Sequence, residues 1–150
     1  FDRLDLDPAR HAYIASPLSR AVETMRIVRG ELGFPDAVFP TDPRLIELGF
    51  GRWAGLDIHE VAAADPHGHA AREADRWNAR PPGGESMADG AARVTPLLAA
   101  IDGPTVLVTH GGLIRVIHVL LGAAEVSATR HLPTPQDRFH VIHRGAVEWV

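Results

Sequence analysis

The sequence predicts an α/β fold, a layered domain with a mostly parallel sheet. Two short apolar runs, AYIA at 12–15 and TVLVT at 105–109, are typical of buried strands. Each is followed at once by a segment whose apolar residues recur at three- and four-residue steps, the spacing of an amphipathic helix. Strands that alternate with such helices are the pattern of α/β proteins. The length of 150 residues fits a single domain.

The helix after AYIA carries the clearest signals in the chain. Ser16 is predicted to be its N-cap and Pro17 its first helical residue, because serine accepts a free N–H group there and proline has none to lose. Gly33 is predicted to end the helix. The apolar residues between these signals form one face that we expect to be buried: Leu18, Ala21, Val22, Met25, Val28 and Leu32.

The remaining elements follow in order. We expect a short strand at 37–39, then a loop with the sequence RLIELGFGRWAG, then polar helical residues at 57–80 with an interruption at DPHGH. After the breaker RPPGG, Ser86 and Asp89 resemble a capping box that begins a helix ending near residue 101. The strand at 105–109 and a helix at 112–121 come next. FHVIH and AVEWV, separated by Arg144 and Gly145, predict a terminal hairpin.

Composition removes several kinds of chemistry. The chain has no cysteine, and all 15 of its basic residues are arginine. Thiolate nucleophiles, cysteine-ligated zinc and lysine Schiff bases are therefore excluded within this sequence. The net charge of −4 with scattered arginines argues against nucleic-acid binding. No apolar run approaches the about 20 residues that a membrane span requires. His67 and His69 have no evident third ligand nearby, so no metal site is predicted.

His110 is the first candidate functional residue. Ligands of parallel α/β sheets bind beyond the carboxyl ends of the strands, and His110 directly follows such a strand. Gly111 and Gly112 would let a ligand approach the backbone closely, and the N-terminus of the next helix suits an anion. On this segment alone, a histidine that merely caps the turn stays an open alternative.

Arg20 and Glu47 complete the candidate set. Arg20 lies in the first turn of the helix after AYIA, so two strand-to-helix junctions together carry a histidine and an arginine, which describes a phosphate pocket. Ser16 and Gly111, beside these residues, are predicted to bind the same phosphate. Glu47 lies among glycines and bulky apolar residues, where burial favours the protonated form of a general acid. A solvated loop glutamate is the simpler local interpretation.

Four segments in this order resemble signatures of the histidine phosphatase superfamily, the phosphoglycerate mutase-like proteins: ASPLSRAVETM, LIELGFGRWAG, PPGGES and TVLVTHGGLIR. The resemblance implies a three-layer α/β/α sandwich and phosphoryl transfer through a phosphohistidine, without a metal or other cofactor. It also implies that Arg20 and His110 bind the phosphoryl group and that Glu47 protonates the leaving oxygen. The substrate implied is a small phosphorylated molecule.

One family feature is absent from the sequence. The nucleophile of the family is the histidine of an Arg-His-Gly motif that ends the first strand, and this chain contains no such motif. Arg10-His11-Ala12 stands too close to Ser16 and before a strand rather than after one, so no catalytic role is assigned to His11. We expect residues 1–150 to be a single domain that lacks its first strand and helix, and we expect that strand to lie between the two strands of the site.

Three functions remain to be distinguished. The first is a metal-independent phosphomonoesterase, favoured because the segment after Gly55 is short. The second is a phosphoglycerate mutase, which would need basic residues in that segment, where only Arg72, Arg76 and Arg80 are available. The third is a non-catalytic module that binds phosphate or protein. We expect a cytoplasmic protein that binds neither nucleic acid nor membrane. A homodimer stays an open alternative for its assembly.

Overall fold

The computed structural model describes residues 7–35, 38–135, 138–143 and 146–149. Four strands and five α-helices are assigned in this part of the chain. In order they are β1 (Ala12–Ala15), α1 (Ser19–Glu31), α2 (Ile58–Ala64), α3 (Pro66–Ala74), α4 (Met87–Ala99), β2 (Thr105–Val108), α5 (Gly111–Leu120), β3 (His140–His143) and β4 (Ala146–Trp149). Short 3₁₀ turns lie at Pro8–Arg10, Pro43–Leu45, Gly51–Trp53 and Val126–Arg130.

The sheet formed by β1 and β2 has helices on both faces, which confirms the α/β class. The two strands are parallel, with Ala12 opposite Thr105 and Ala15 opposite Val108. Successive side chains of a strand point to opposite faces. Tyr13 and Ala15 accordingly pack with Met25 of α1, whereas Ile14 packs against the core that α4 and α5 form on the other face.

The direct pairing of β1 with β2 corrects one expectation. We expected an additional strand between them, but their backbones are hydrogen-bonded in register along all four residues of each strand. A strand cannot lie between two others that already share these bonds, because adjacent strands are only about 4.8 Å apart. Any further parallel strand would have to pair at an outer edge of this sheet.

The start of α1 also differs from the prediction. Leu18 is the N-cap and the helix begins at Ser19, so Ser16 is not its N-cap and Pro17 is not its first residue. Ser16 still follows the path of β1, since its N–H donates to the carbonyl of Val108 at 2.8 Å. Its hydroxyl oxygen accepts the N–H of Leu18 at 3.3 Å and also contacts the ring of a distant histidine at 2.8 Å. At the other end, Gly33 follows the C-cap Leu32 with a φ of 85°, as predicted for a helix stop.

The expected strand at 37–39 is not observed where the structure describes it. Residue 37 lies outside the described residues, and residues 38 and 39 belong to no strand. The chain pairs with β1 only after the predicted strand, through a single parallel bridge between Thr41 and Ala15. Pro40 and Pro43 flank this bridge and have no N–H group to extend the pairing.

Most predictions for the remaining elements are confirmed with shifted ends, but α3 runs through PHGH, where an interruption was predicted, and residues 75–80 are not helical. The polar region divides at Asp65 into α2 and α3, and Ser86 and Asp89 form the expected capping box of α4. Helix α4 ends at Ala99, and α5 begins one residue earlier than predicted, at Gly111. Strands β3 and β4 pair as an antiparallel hairpin. None of the helices described is long and apolar enough to span a membrane.

A histidine pair joins this hairpin to α5. His118 is only 1% exposed, and its Nε2 lies 3.1 Å from Nδ1 of His140 on β3. Burial lowers the pKa of both imidazoles, and in His118 the neighbouring His140 lowers the pKa further. One neutral ring can donate to the other, whereas two charged rings would repel each other. The contact therefore favours the neutral forms.

This pair predicts a loss of stability in acid. The folded pKa values lie below the unfolded value of about 6.5, so the unfolded chain takes up protons first as the pH falls. The contribution of the pair to the free energy of unfolding should be fully present above about pH 6.5. It should be lost as the pH falls from that value through the lowered folded pKa values. Urea unfolding at pH 5 and 7.5 measures the difference. His118→Gln should reduce the difference in unfolding free energy between the two pH values. His59→Gln, at an exposed site on α2, should leave this difference unchanged. An equal reduction in both variants would refute the assignment to the histidine pair.

Candidate active site

Ser16, Arg20 and His110 meet where β1 and β2 end. His110 follows β2 and is the N-cap of α5, and Arg20 stands in the first turn of α1. The Nε–H of Arg20 donates to Nδ1 of His110 at 3.2 Å, and Nε2 of His110 lies 2.8 Å from the hydroxyl oxygen of Ser16. The structure thus brings together side chains 90 residues apart in sequence. The rule that ligands bind beyond the carboxyl ends of parallel strands predicted this convergence.

The hydrogen bonds define the state of His110. Because a guanidinium nitrogen can only donate, Nδ1 of His110 is the acceptor and carries no proton. The proton of the neutral ring is therefore on Nε2, which donates to Ser16. Burial lowers the pKa of His110, the charge of Arg20 lowers it further, and the charge of Glu47 opposes them. Ser16 is fully buried and His110 is 7% exposed, whereas Arg20 is open to solvent.

Glu47 lies at the same end of the sheet, and its carboxylate occupies the N-terminus of α5. One carboxylate oxygen accepts the N–H of Leu48 at 2.9 Å and that of Leu113 at 3.2 Å. The other accepts the N–H of Gly112 at 3.1 Å. The half-buried side chain is therefore not a solvated loop glutamate. The group that occupies this helix terminus is therefore a side chain of the protein itself.

Gly112 serves a different purpose from the one expected. At Gly112 an added Cβ would lie 2.6 Å from a carboxylate oxygen of Glu47, so a side chain there would displace Glu47 from its present position. At Gly111 the corresponding atom would lie 3.2 Å from the hydroxyl oxygen of Thr134. The prediction that the first-turn N–H groups of α5 are free for phosphate is therefore wrong for Gly112 and Leu113.

Other residues considered in the sequence lie elsewhere. His11 precedes β1, at the opposite end of the parallel strands from His110, and its Nδ1 lies 2.8 Å from the carbonyl oxygen of Asp7. The hydroxyl of Ser86 bonds to Asp89 and caps α4. Within the described ranges, no group of three or more histidine, aspartate and glutamate side chains is arranged to hold a metal ion.

An arginine cluster beside α5 was only partly visible in the sequence. Arg72, Arg76 and Arg130 line a surface cavity of about 580 Å³, together with apolar residues such as Trp53 and Leu56. Burial and the charges of Arg72 and Arg115 lower the pKa of Arg76 to about 10. The pKa of Arg72 is lowered by burial and by the charges of Arg130 and Arg115.

The charge of this cluster is incompletely neutralised. Arg130 pairs with Glu73 and Arg115 donates to the carbonyl of Gly111, but Nε of Arg76 is buried without a hydrogen-bond partner among the described residues. Buried donors of this kind normally have partners. Arg80, the third arginine that the sequence offered, pairs instead with Asp89 on α4 at 2.6 Å. The composition of 57–80 indicated Arg72 and Arg76, but no local signal indicated that Arg130 would join them.

Fold and site together define a class: an α/β protein with a histidine and an arginine in contact beyond the ends of parallel strands. The sequence model described as "Histidine phosphatase superfamily (branch 1)" matches residues 1–150. The chain belongs to the histidine phosphatase superfamily.

Similar proteins include phosphatases and mutases. A glucosyl-3-phosphoglycerate phosphatase of Mycolicibacterium vanbaalenii is 37% identical over 91% of this chain and 60% of its own length. A 2,3-bisphosphoglycerate-dependent phosphoglycerate mutase of Beijerinckia indica is 33% identical over 71% of this chain and 55% of its own length. The chain thus spans only about 55–60% of these relatives.

Solved structures agree on the fold. A mycobacterial glucosyl-3-phosphoglycerate phosphatase in complex with inorganic phosphate superposes with a TM-score of 0.69 at 30% identity, covering 93% of this chain and 73% of that one. The α-ribazole phosphatase of Shigella flexneri gives a TM-score of 0.74 at 20% identity, over 96% of this chain and 73% of its own, and supports the fold alone.

Proposed function

We propose that the protein hydrolyses phosphomonoesters through a phosphohistidine. The contact between the guanidinium of Arg20 and the imidazole of His110 is the observation that carries this proposal. Arginine binds phosphoryl oxygens in a bidentate manner, and Arg20 reaches solvent beside a shallow depression lined also by Pro17 and Ser19. The identity to glucosyl-3-phosphoglycerate phosphatases supports hydrolysis as the outcome.

Phosphate binding would change the role of His110. A phosphoryl oxygen can accept the N–H of Arg20 that now points to Nδ1. The negative charge of the phosphoryl group favours the protonated imidazole, in which both ring nitrogens donate. His110 could then donate to the phosphoryl group while keeping its bond to Ser16. Ser16 and Gly111 are proposed to define the edges of this site.

The nucleophile is proposed to be a histidine outside these 150 residues, within a further strand at the edge of the sheet. Its ring nitrogen would attack phosphorus as the bond from phosphorus to the ester oxygen breaks. Glu47 would give a proton to that oxygen, because an alkoxide leaves poorly. Water would then cleave the phosphorus–nitrogen bond and release inorganic phosphate. Positioning and charge neutralisation account for most of the catalysis of phosphoryl transfer.

The arginine cluster indicates the class of substrate. A cavity with uncompensated guanidinium groups beside apolar side chains is suited to an organic phosphate that carries a second anionic group. The phosphoglycerate compounds named for the relatives have such a group, a carboxylate. We therefore place a phosphorylated carboxylic acid first among the substrates. Such metabolites are too highly charged to cross membranes, which supports a cytoplasmic location.

A phosphoglycerate mutase is the second candidate. The same arginines could retain a bisphosphate for rephosphorylation, and mutases are among the relatives. The full natural protein should be assayed for hydrolysis of glucosyl-3-phosphoglycerate and p-nitrophenyl phosphate, and for isomerisation of 3-phosphoglycerate. Hydrolysis without isomerisation, together with a phosphohistidine trapped at alkaline pH, supports the phosphatase. Phosphate binding without turnover or phosphoenzyme would support a non-catalytic module instead.

Arg76→Gln tests the role of the arginine cluster. A lost charge-assisted hydrogen bond of about 1.5–3 kcal/mol should raise KM for a phosphorylated carboxylate roughly 10- to 100-fold, with little effect on p-nitrophenyl phosphate. The same change removes a buried charge among like charges, so the ligand-free protein should melt at a higher temperature. Arg52→Gln, at an exposed position, is the control. An unchanged KM for the carboxylate substrate would argue against the subsite.

A further inference from the structure

The loop that carries Glu47 is held by two side chains from other segments of the chain, Arg93 and Glu85. Arg93 lies on α4, and one of its terminal nitrogens donates to the carbonyls of Arg44 at 2.7 Å and Ile46 at 2.9 Å. Its other two nitrogens donate to both carboxylate oxygens of Glu85, at 3.0 and 3.1 Å. Arg93 thus contacts the loop shortly before Glu47.

Glu85 contacts the same loop shortly after Glu47. One of its carboxylate oxygens accepts the N–H of Gly49 at 2.9 Å, and its own N–H donates to the carbonyl of Gly49 at 2.7 Å. Gly84 makes this approach possible, because an added Cβ there would lie 2.3 Å from the same carbonyl oxygen. The PPGGES segment therefore packs its backbone directly against the loop.

Regular secondary structure does not fix this loop. Residues 46–50 lie between the 3₁₀ turns Pro43–Leu45 and Gly51–Trp53 and belong to no helix or strand. The side-chain hydroxyl of Thr109 adds one bond to the carbonyl of Leu45 at 2.8 Å, next to His110. The place of Glu47 is therefore set largely by contacts from other segments.

We propose that Arg93 and Glu85 form a positioning clamp for Glu47, which holds its carboxyl group where it can protonate the leaving oxygen. The proposal rests on the proposed function, because it assigns the clamp to the proton-delivery step of that reaction. Arg93 and Glu85 contact the loop backbone and each other, and they act through Glu47. A fork of donors suits arginine, since its five N–H groups can bind both oxygens of a carboxylate and two carbonyls, whereas the ammonium group of lysine has only three donors. Catalytic groups need supporting contacts that hold them within about 0.5 Å of their productive position.

The test uses the leaving group. In the full natural protein, kcat/KM is measured for an alkyl phosphate substrate and for p-nitrophenyl phosphate, whose phenolate leaves without a proton. Arg93→Gln should lower kcat/KM about 10²-fold for the alkyl phosphate, the lower range for general acid catalysis, and less than about threefold for the aryl phosphate. The ratio of the two values does not depend on the folded fraction, so partial unfolding cannot imitate the result. Glu85→Gln should shift the ratio in the same direction.

Two further variants sharpen the result. Arg93→Gln combined with Glu47→Gln should be no slower on the alkyl phosphate than Glu47→Gln alone, because both changes remove one proton transfer. Arg80→Gln breaks a different ion pair, the one between Arg80 and Asp89 of α4, and should leave the ratio of the two kcat/KM values unchanged. Equal loss on both substrates in Arg93→Gln, or additive losses in the double variant, would overturn the clamp. An unaltered protein that hydrolyses neither substrate would instead contradict the proposed function.

Discussion

Arg20→Gln is expected to lower kcat/KM for every phosphomonoester about 10²- to 10³-fold in the full natural protein, the usual effect of removing one donor to a developing negative charge. Because Arg20 is exposed on α1 and loses one hydrogen bond, to His110, the free energy of unfolding should fall by no more than about 1.5 kcal/mol. Arg20→Lys should restore part of the rate, since lysine keeps the charge but not the bidentate geometry.

A second measurement checks the geometry without any turnover. The charge of Arg20 lowers the pKa of His110, so Arg20→Gln should raise that pKa in an NMR titration. Arg10→Gln is the matched control, because Arg10 is exposed at the opposite end of β1. An unchanged His110 titration in Arg20→Gln would show that the contact between the two side chains does not persist in solution.

Gly51→Ala is expected to have the largest effect on stability. Gly51 has a φ of 51°, and an added Cβ would lie 2.2 Å from the carbonyl oxygen of Pro82. The left-handed backbone costs an alanine about 1–2 kcal/mol, and a forced shift of packed backbone adds about 1–3 kcal/mol. Urea unfolding should therefore show a loss of about 2–5 kcal/mol.

Gly55→Ala separates the two contributions. Gly55 has a φ of 82°, yet an added Cβ would meet no atom within 4 Å. This variant should lose only the about 1–2 kcal/mol that the left-handed conformation costs. If both variants lost the same stability, the close packing of Gly51 against the PPGGES segment would be refuted.

Features that depend on nearby residues were predictable from the sequence. The capping box of Ser86 and Asp89 needs only residues three apart, and the stop at Gly33 needs only the preference of glycine for a positive φ. The meeting of Arg20 and His110 also followed from local patterns, because the chain direction of parallel strands brings their carboxyl ends to one edge.

Features set by distant partners were not predictable. Ser16 has the local signature of an N-cap, but α1 begins only at Ser19, and the hydroxyl of Ser16 contacts His110 as well as the N–H of Leu18. The order of the strands depends on pairing between segments 93 residues apart, and no local pattern encodes it. Glu47 was identified as a candidate acid, yet its contact with α5 joins two residues that are 65 positions apart in the sequence. Arg130 joins Arg72 and Arg76 only once the chain has folded.

The uncompensated guanidinium groups around Arg76 have a practical consequence for finding the physiological ligand. Mutual repulsion there destabilises the empty protein, and any compound that neutralises it stabilises the folded state in proportion to the logarithm of its concentration relative to Kd. Melting temperature thereby becomes a direct assay of occupancy. A library of acidic metabolites could be ranked by thermal shift before any enzymatic rate is known.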